Sequence, residues 1–174
     1  MDDGELDALQ QRIDDIMLGK VSVNGDIPMQ LDSKTGKYSE KRTSTKGHKI
    51  ATLNYRKIQG LEFDPVFLSY MQKPLFREIC AKAYGPSTPI ACFRAMFMNK
   101  PARKGTLLPW HQDRFGVLDR DPIVTVWMAL DPATIDNGCV KIIPRSHRSL
   151  INPDHPSSFL TEEQTNAVLA ESKP

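Results

Sequence analysis

Leu6, Leu9, Ile13, Ile16 and Met17 recur at spacings of three and four with acidic residues between them. That period lays one apolar stripe along an α-helix, and Gly19 follows where a helix C-terminus favours glycine. Residues 32–47 then run polar, basic and without period. A stretch this long is either functional or without fixed order, so a substrate lid and plain disorder both fit it. Asp64-Pro65 supplies an N-cap and a first-turn proline for a helix running to about Met71. A second helix starts near Pro74 and stops at Tyr84-Gly85-Pro86. From there the pattern changes: residues 90–98 and 123–130 are apolar and unpunctuated, and residues 140–143 are a shorter version. These predict strands, two of them buried on both faces. Asn137-Gly138 is a tight-turn signal that would make the last two strands neighbours. Thr161-Glu162-Glu163-Gln164 has the form of a capping box opening a final helix.

Helices first and strands afterwards predict an α+β fold whose strand half is a barrel or jelly roll. At 174 residues the chain is long enough for one domain, residues 1–174, with a core of its own. Composition changes little: 40% hydrophobic and 25% charged residues are ordinary for a globular protein. Lys and Arg number 23 against 21 Asp and Glu, a net charge of +2, which argues against a nucleic-acid partner. No apolar run approaches a membrane span, and the acidic start Met1-Asp2-Asp3-Gly4-Glu5 does not resemble a secretion signal. A cytoplasmic location is the default expectation. Cys80, Cys92 and Cys139 lack paired spacing, so reduced thiols buried as small hydrophobes are expected.

The chemistry concentrates in Pro109-Trp110-His111-Gln112-Asp113. In extended backbone, residues two apart share a face, so His111 and Asp113 converge while Gln112 points away. An imidazole and a carboxylate on one face supply two corners of a 2-His-1-carboxylate triad for Fe(II). Alone, His-x-Asp fits equally well a histidine hydrogen-bonded to a neighbouring carboxylate.

Several blocks around it, in order, resemble the phytanoyl-CoA dioxygenase family. They are Arg56-Lys57-Ile58-Gln59-Gly60, Met96-Phe97-Met98-Asn99-Lys100-Pro101, the His-Gln-Asp block, Val124-Thr125-Val126-Trp127-Met128-Ala129-Leu130, and Asp136-Asn137-Gly138-Cys139 followed by Ile143-Pro144-Arg145-Ser146-His147-Arg148. The likeness runs from about residue 55 to residue 150.

The resemblance implies a double-stranded β-helix core, a cupin-like jelly roll, flanked by N-terminal helices. It also implies Fe(II) held by His111 and Asp113, 2-oxoglutarate as co-substrate, and ascorbate as an auxiliary reductant. Lys57, Met96 and Trp127 fall where the family contacts 2-oxoglutarate. Read without the resemblance, Lys57 is also consistent with a solvated charge, and Met96 and Trp127 with core residues. The implied reaction hydroxylates a small organic substrate while 2-oxoglutarate is decarboxylated to succinate. His147 is not a ligand position in the family, and neither His155 nor His48 suits the role. The family's second histidine and its 2-oxoglutarate arginine lie further on than Pro174. The barrel is therefore expected to be incomplete, and the chain to be a fragment, truncated product or splice variant. Pro144-Arg145 also stands where the family has Pro-Gly. Lys100, Arg103, Lys104, Arg114 and Arg120 around the motif suit an anionic substrate, or equally a solvated rim. Two other classes remain open on sequence: a non-catalytic relative used for binding or regulation, and a cupin-like metal protein without 2-oxoglutarate chemistry.

Overall fold

The computed structural model describes residues 2–23, 27–40, 42–102, 105–114, 118, 122–151 and 159–171. The chain packs as two compact units, Met1–Leu107 with Trp127–Pro132, and Leu108–Val126 with Ala133–Pro174.

In the first unit, α1 (Asp3–Met17) buries Leu9, Ile13, Ile16 and Met17, most of the stripe its spacing predicts. Asp2 caps it by accepting from Glu5 N, and the Glu5 carboxylate accepts from Asp2 N in return. Gly19 turns the chain out of the helix at φ +68°. Helices α2 (Pro65–Met71) and α3 (Pro74–Tyr84) form where proline-led starts place them.

Four strands make one antiparallel sheet: β1 (Pro28–Leu31), β2 (Thr45–Lys46), β3 (Tyr55–Gln59) and β4 (Met96–Met98), in the order β2-β1-β3-β4. Three of these lie between α1 and α2, so the expected order of helices before strands is corrected. The strands escape the periodicity because they are short and carry Gln30, Arg56, Lys57 and Gln59. Residues 32–47 are likewise not structureless: Asp32 and Ser33 are buried, Tyr38–Glu40 forms a 3-10 turn, and β2 closes the stretch.

A bulge masks β3 further. Met29 pairs with Ile58 and Gln30 with Lys57, but Leu31 pairs with Tyr55, which skips Arg56. The extra residue restores both Tyr55 and Ile58 to the core side, each fully buried, and sends Arg56 and Lys57 together to the opposite face. There Arg56 is buried against Gln30, whose Oε1 it meets at 2.9 Å, lies 3.8 Å from Asp32, and stacks on Tyr38. On the core side Tyr55 and Ile58 pack with Leu9, Ile13, Met29 and Leu61.

The three apolar runs behave differently from expectation. Of residues 90–98, only Met96–Met98 enters the sheet. Residues 123–130 and 140–143 form no strand, with Ile123 69% and Ile142 82% exposed. Apolar composition reports a preference for burial, whereas a strand also needs a neighbour for its backbone groups. Among the described residues no strand pairs with these segments. The fold is thus α+β, with an open sheet. The cysteines are free but not buried: Cys92 is exposed, and Cys80 and Cys139 are half-buried. No helix among the described residues is long and apolar enough to cross a membrane.

In the second unit the Asn137-Gly138 turn forms. Thr134 N donates to Asn137 Oδ1, Cys139 N donates to Thr134 O, and Gly138 sits at φ +80°, with no strand on either side. The capping box at Thr161 and Gln164 closes reciprocally and opens α4 (Glu162–Glu171).

Candidate functional site

His111 lies in the second unit, held by an isolated antiparallel bridge to Phe159. Leu160 N donates to Trp110 O at 2.9 Å, and the Phe159 ring meets the imidazole edge-on with centroids 5.3 Å apart. Asp113, two residues on, brings Oδ1 to 3.4 Å from His111 Nε2. The alternation expected of the motif is therefore realised: imidazole and carboxylate face each other, and Gln112 points elsewhere.

The electrostatics of the pair follow from one carbonyl. Pro109 O lies 2.9 Å from His111 Nδ1. A carbonyl only accepts, so Nδ1 carries the hydrogen, and in neutral imidazole Nε2 is left as a lone pair. That lone pair faces a carboxylate oxygen, which is also an acceptor. Two acceptors at this distance are stable only with a proton or a cation between them. In the absence of a cation, Asp113 pushes the His111 pKa up, partial burial opposes this, and the Pro109 carbonyl adds to the rise.

The same donor set, an imidazole lone pair beside a carboxylate, is of the kind a divalent metal takes. Cis ligands each about 2.1 Å from a metal lie roughly 3 Å apart, close to the distance seen here. Among the described residues no group of three His, Cys, Asp or Glu gathers around a common point. The arrangement thus brings together one imidazole and one carboxylate. His147 is exposed in the 3-10 turn Ser146–Arg148. His48 belongs to the first unit, where its Nε2 meets Met17 O at 3.1 Å. His155 lies outside the described residues, as do Arg103, Lys104 and Arg120.

Lys57, Met96 and Trp127 lie in the first unit. Lys57 pairs with Met98, and Gln59 with Met96, so Lys57 and Met96 share the sheet face turned away from the hydrophobic core. Both are half-buried. Trp127 is 57% exposed, while its neighbours Met128 and Leu130 pack on the core. Gln10 of α1 donates to Leu130 O and so fixes that segment. Trp127 is therefore not the core residue that its type would equally have allowed.

Alternation turns Gln112 away from the pair, but its partners are not legible in the sequence. Its Nε2 donates to Ser146 O and Ser149 O, both at 2.9 Å, and its Oε1 accepts from Ile151 N at 3.0 Å. The partners lie 34 to 39 residues away, beyond any local pattern.

Comparison with known proteins supports the family resemblance. The family model described as phytanoyl-CoA dioxygenase matches residues 1–174. A Caenorhabditis elegans protein, "Probable phytanoyl-CoA dioxygenase", is 30% identical over 155 residues, covering 86% of this chain and 47% of the nematode protein. The human "Phytanoyl-CoA dioxygenase, peroxisomal" is 29% identical over 106 residues, 58% of this chain and 31% of the human protein. An Arabidopsis thaliana "Phytanoyl-CoA dioxygenase" is 26% identical over 88 residues, 51% of this chain and 31% of its own length. The chain spans about half or less of the length of these relatives. No solved structure matches it. On the full-length family match, the chain belongs to the phytanoyl-CoA dioxygenase family.

Proposed function

We propose that this chain carries part of the active site of an Fe(II)- and 2-oxoglutarate-dependent dioxygenase that hydroxylates a small, anionic organic substrate. One observation supports this most directly: the lone pair of His111 Nε2 and the Asp113 carboxylate converge at 3.4 Å, an acceptor pair that calls for a cation. His111 and Asp113 would hold Fe(II). When bound, the metal would let dioxygen and 2-oxoglutarate together hydroxylate a C–H bond, one oxygen atom entering the product and the other succinate, with carbon dioxide released. The Pro109 carbonyl keeps the imidazole in the tautomer that offers Nε2. Lys57, Met96 and Trp127 are assigned to 2-oxoglutarate through the family resemblance. A cation is suited to the carboxylate of that co-substrate, because pairing offsets its desolvation. Arg114, directly after Asp113, suits an anionic substrate.

A second reading, a binding module without turnover, draws on a different observation: only two ligand groups meet among the described residues. Anaerobic titration with Fe(II) and 2-oxoglutarate separates the two. A weak visible charge-transfer band, abolished in His111→Ala and shifted to higher 2-oxoglutarate concentration in Lys57→Ala, is expected; succinate formed on admitting oxygen marks turnover. A folded chain that yields no band rules the dioxygenase reading out. A band without succinate leaves the binding module.

A further inference from the structure

We propose that Gln112 is a positioning residue for the His111–Asp113 pair, acting by clamping the 146–151 turn to the extended segment that carries both groups. The inference rests on the metal reading above. Its basis is the complete use of one carboxamide. Both Nε2 hydrogens are given to main-chain carbonyls, Ser146 O and Ser149 O, and Oε1 takes the Ile151 amide. A glutamine that makes all three bonds to backbone behaves as an inserted piece of β-ladder.

The segment needs such an anchor. His111 is fixed by a bridge of a single residue pair with Phe159. One bridge sets the position of His111 but not the direction in which the chain leaves it. The rotation about the segment that keeps the Asp113 carboxylate opposite Nε2 is set by the residue between them, and its side chain is tied at three points. Because Gln112 leaves on the opposite side from its neighbours, the clamp takes up no room where a metal or substrate would sit.

Stability and positioning separate here. The Ser149 contact is exposed and the other two are only partly buried. Water can satisfy these backbone groups when the amide is removed, so the fold loses little. The loss falls instead on the geometry of the pair, as it does when groups supporting metal ligands are removed.

The test uses Co(II) alone, read by its visible absorption, on the chain and on Gln112→Ala, Gln112→Glu and Thr161→Ala. Thr161→Ala removes the α4 cap in the same unit and serves as a control for stability alone. The Gln112 variants are expected to bind Co(II) about 10- to 100-fold more weakly, with an altered spectrum and a nearly unchanged melting temperature. Thr161→Ala is expected to lower the melting temperature and leave Co(II) affinity alone. Unaltered affinity in both Gln112 variants, with the parent binding normally, overturns this inference and leaves the metal reading standing. A parent that binds no Co(II) overturns both. Hydrogen exchange in the unaltered chain gives a reading independent of any variant: Co(II) should slow exchange across residues 146–151, because coupling between two sites is reciprocal. Equal rates with and without metal would overturn the clamp's role.

Discussion

Arg12 and Asp64 join α1 to α2 through one carboxylate that does two things at once. Asp64 Oδ2 accepts from Arg12 Nε at 2.9 Å and from its terminal nitrogen at 2.7 Å, while Oδ1 accepts from Val66 N and Phe67 N as the α2 cap. The Asp64 side chain is 2% exposed. Asp64→Ala therefore removes a cap and leaves the Arg12 guanidinium without its partner, and should cost about 3 to 5 kcal/mol. Asp64→Asn keeps an oxygen for the cap and should cost less. Chemical denaturation of the two variants checks the order; equal losses would show that the cap contributes nothing separable from the ion pair.

Arg145 is the one non-glycine residue at positive φ among those described, at φ +65°. A left-handed turn, which glycine takes freely, is held here by an arginine at a cost in backbone strain. Arg145→Gly should raise stability by about 1 kcal/mol, seen as a higher denaturation midpoint. An unchanged or lower midpoint would mean that the arginine side chain makes up for the strain.

Gly19 combines two constraints. Its φ is +68°, and a Cβ there would lie 2.7 Å from His48 Cε1. Gly19→Ala should destabilise by more than the roughly 1 kcal/mol that a left-handed alanine costs. Adding His48→Ala should recover only the steric part. A double-mutant cycle measures that part directly; a cycle with no coupling would place the whole cost in the backbone.

Glu5 and Lys73 tie α1 to the residue before α3, and each pKa moves to favour the charged form. The Lys73 contact, then the hydrogen bond from Asp2 N, holds the Glu5 carboxyl below its ordinary value; the Glu5 contact holds Lys73 above its own. A lowered carboxylate contributes stability above its unfolded pKa of about 4.3 and loses it as pH falls through the folded value. A raised lysine contributes below about 10.4 and loses it as pH rises through its folded value. The difference in melting temperature between the chain and Glu5→Gln should therefore be flat from about pH 5 to pH 10 and shrink toward acid. A difference that persists in acid would assign it to packing.

What could be read from the sequence was what local chemistry writes. The α1 stripe, the Asp64-Pro65 start, the Thr161 capping box and the Asn137-Gly138 turn all formed, because each needs only residues within a turn or two. The sheet was hidden because its strands are short and because a skipped residue breaks the period of β3. The apolar runs at 123–130 and 140–143 showed the opposite failure: their composition is that of strands, but strand formation depends on a distant neighbour. That His111 and Asp113 share a face was legible because alternation along extended backbone places residues two apart on one side. Gln112 and its partners were not, since a side chain that meets backbone 34 residues away leaves no mark in spacing.

The skipped residue in β3 also sets what kind of change the strand can survive. Substitutions at Arg56 leave the count along the chain intact. Deleting it leaves Tyr55 and Ile58 two apart, where strict alternation keeps both on the core side, opposite Leu31 and Met29. Tyr55 would keep its place in the core and the hydroxyl that receives Lys49 N and Ile50 N and donates to Ile50 O, whereas the guanidinium that meets Gln30 and lies beside Asp32 would be lost. At this position the register tolerates the loss of a residue, and what the bulge adds is the buried arginine itself.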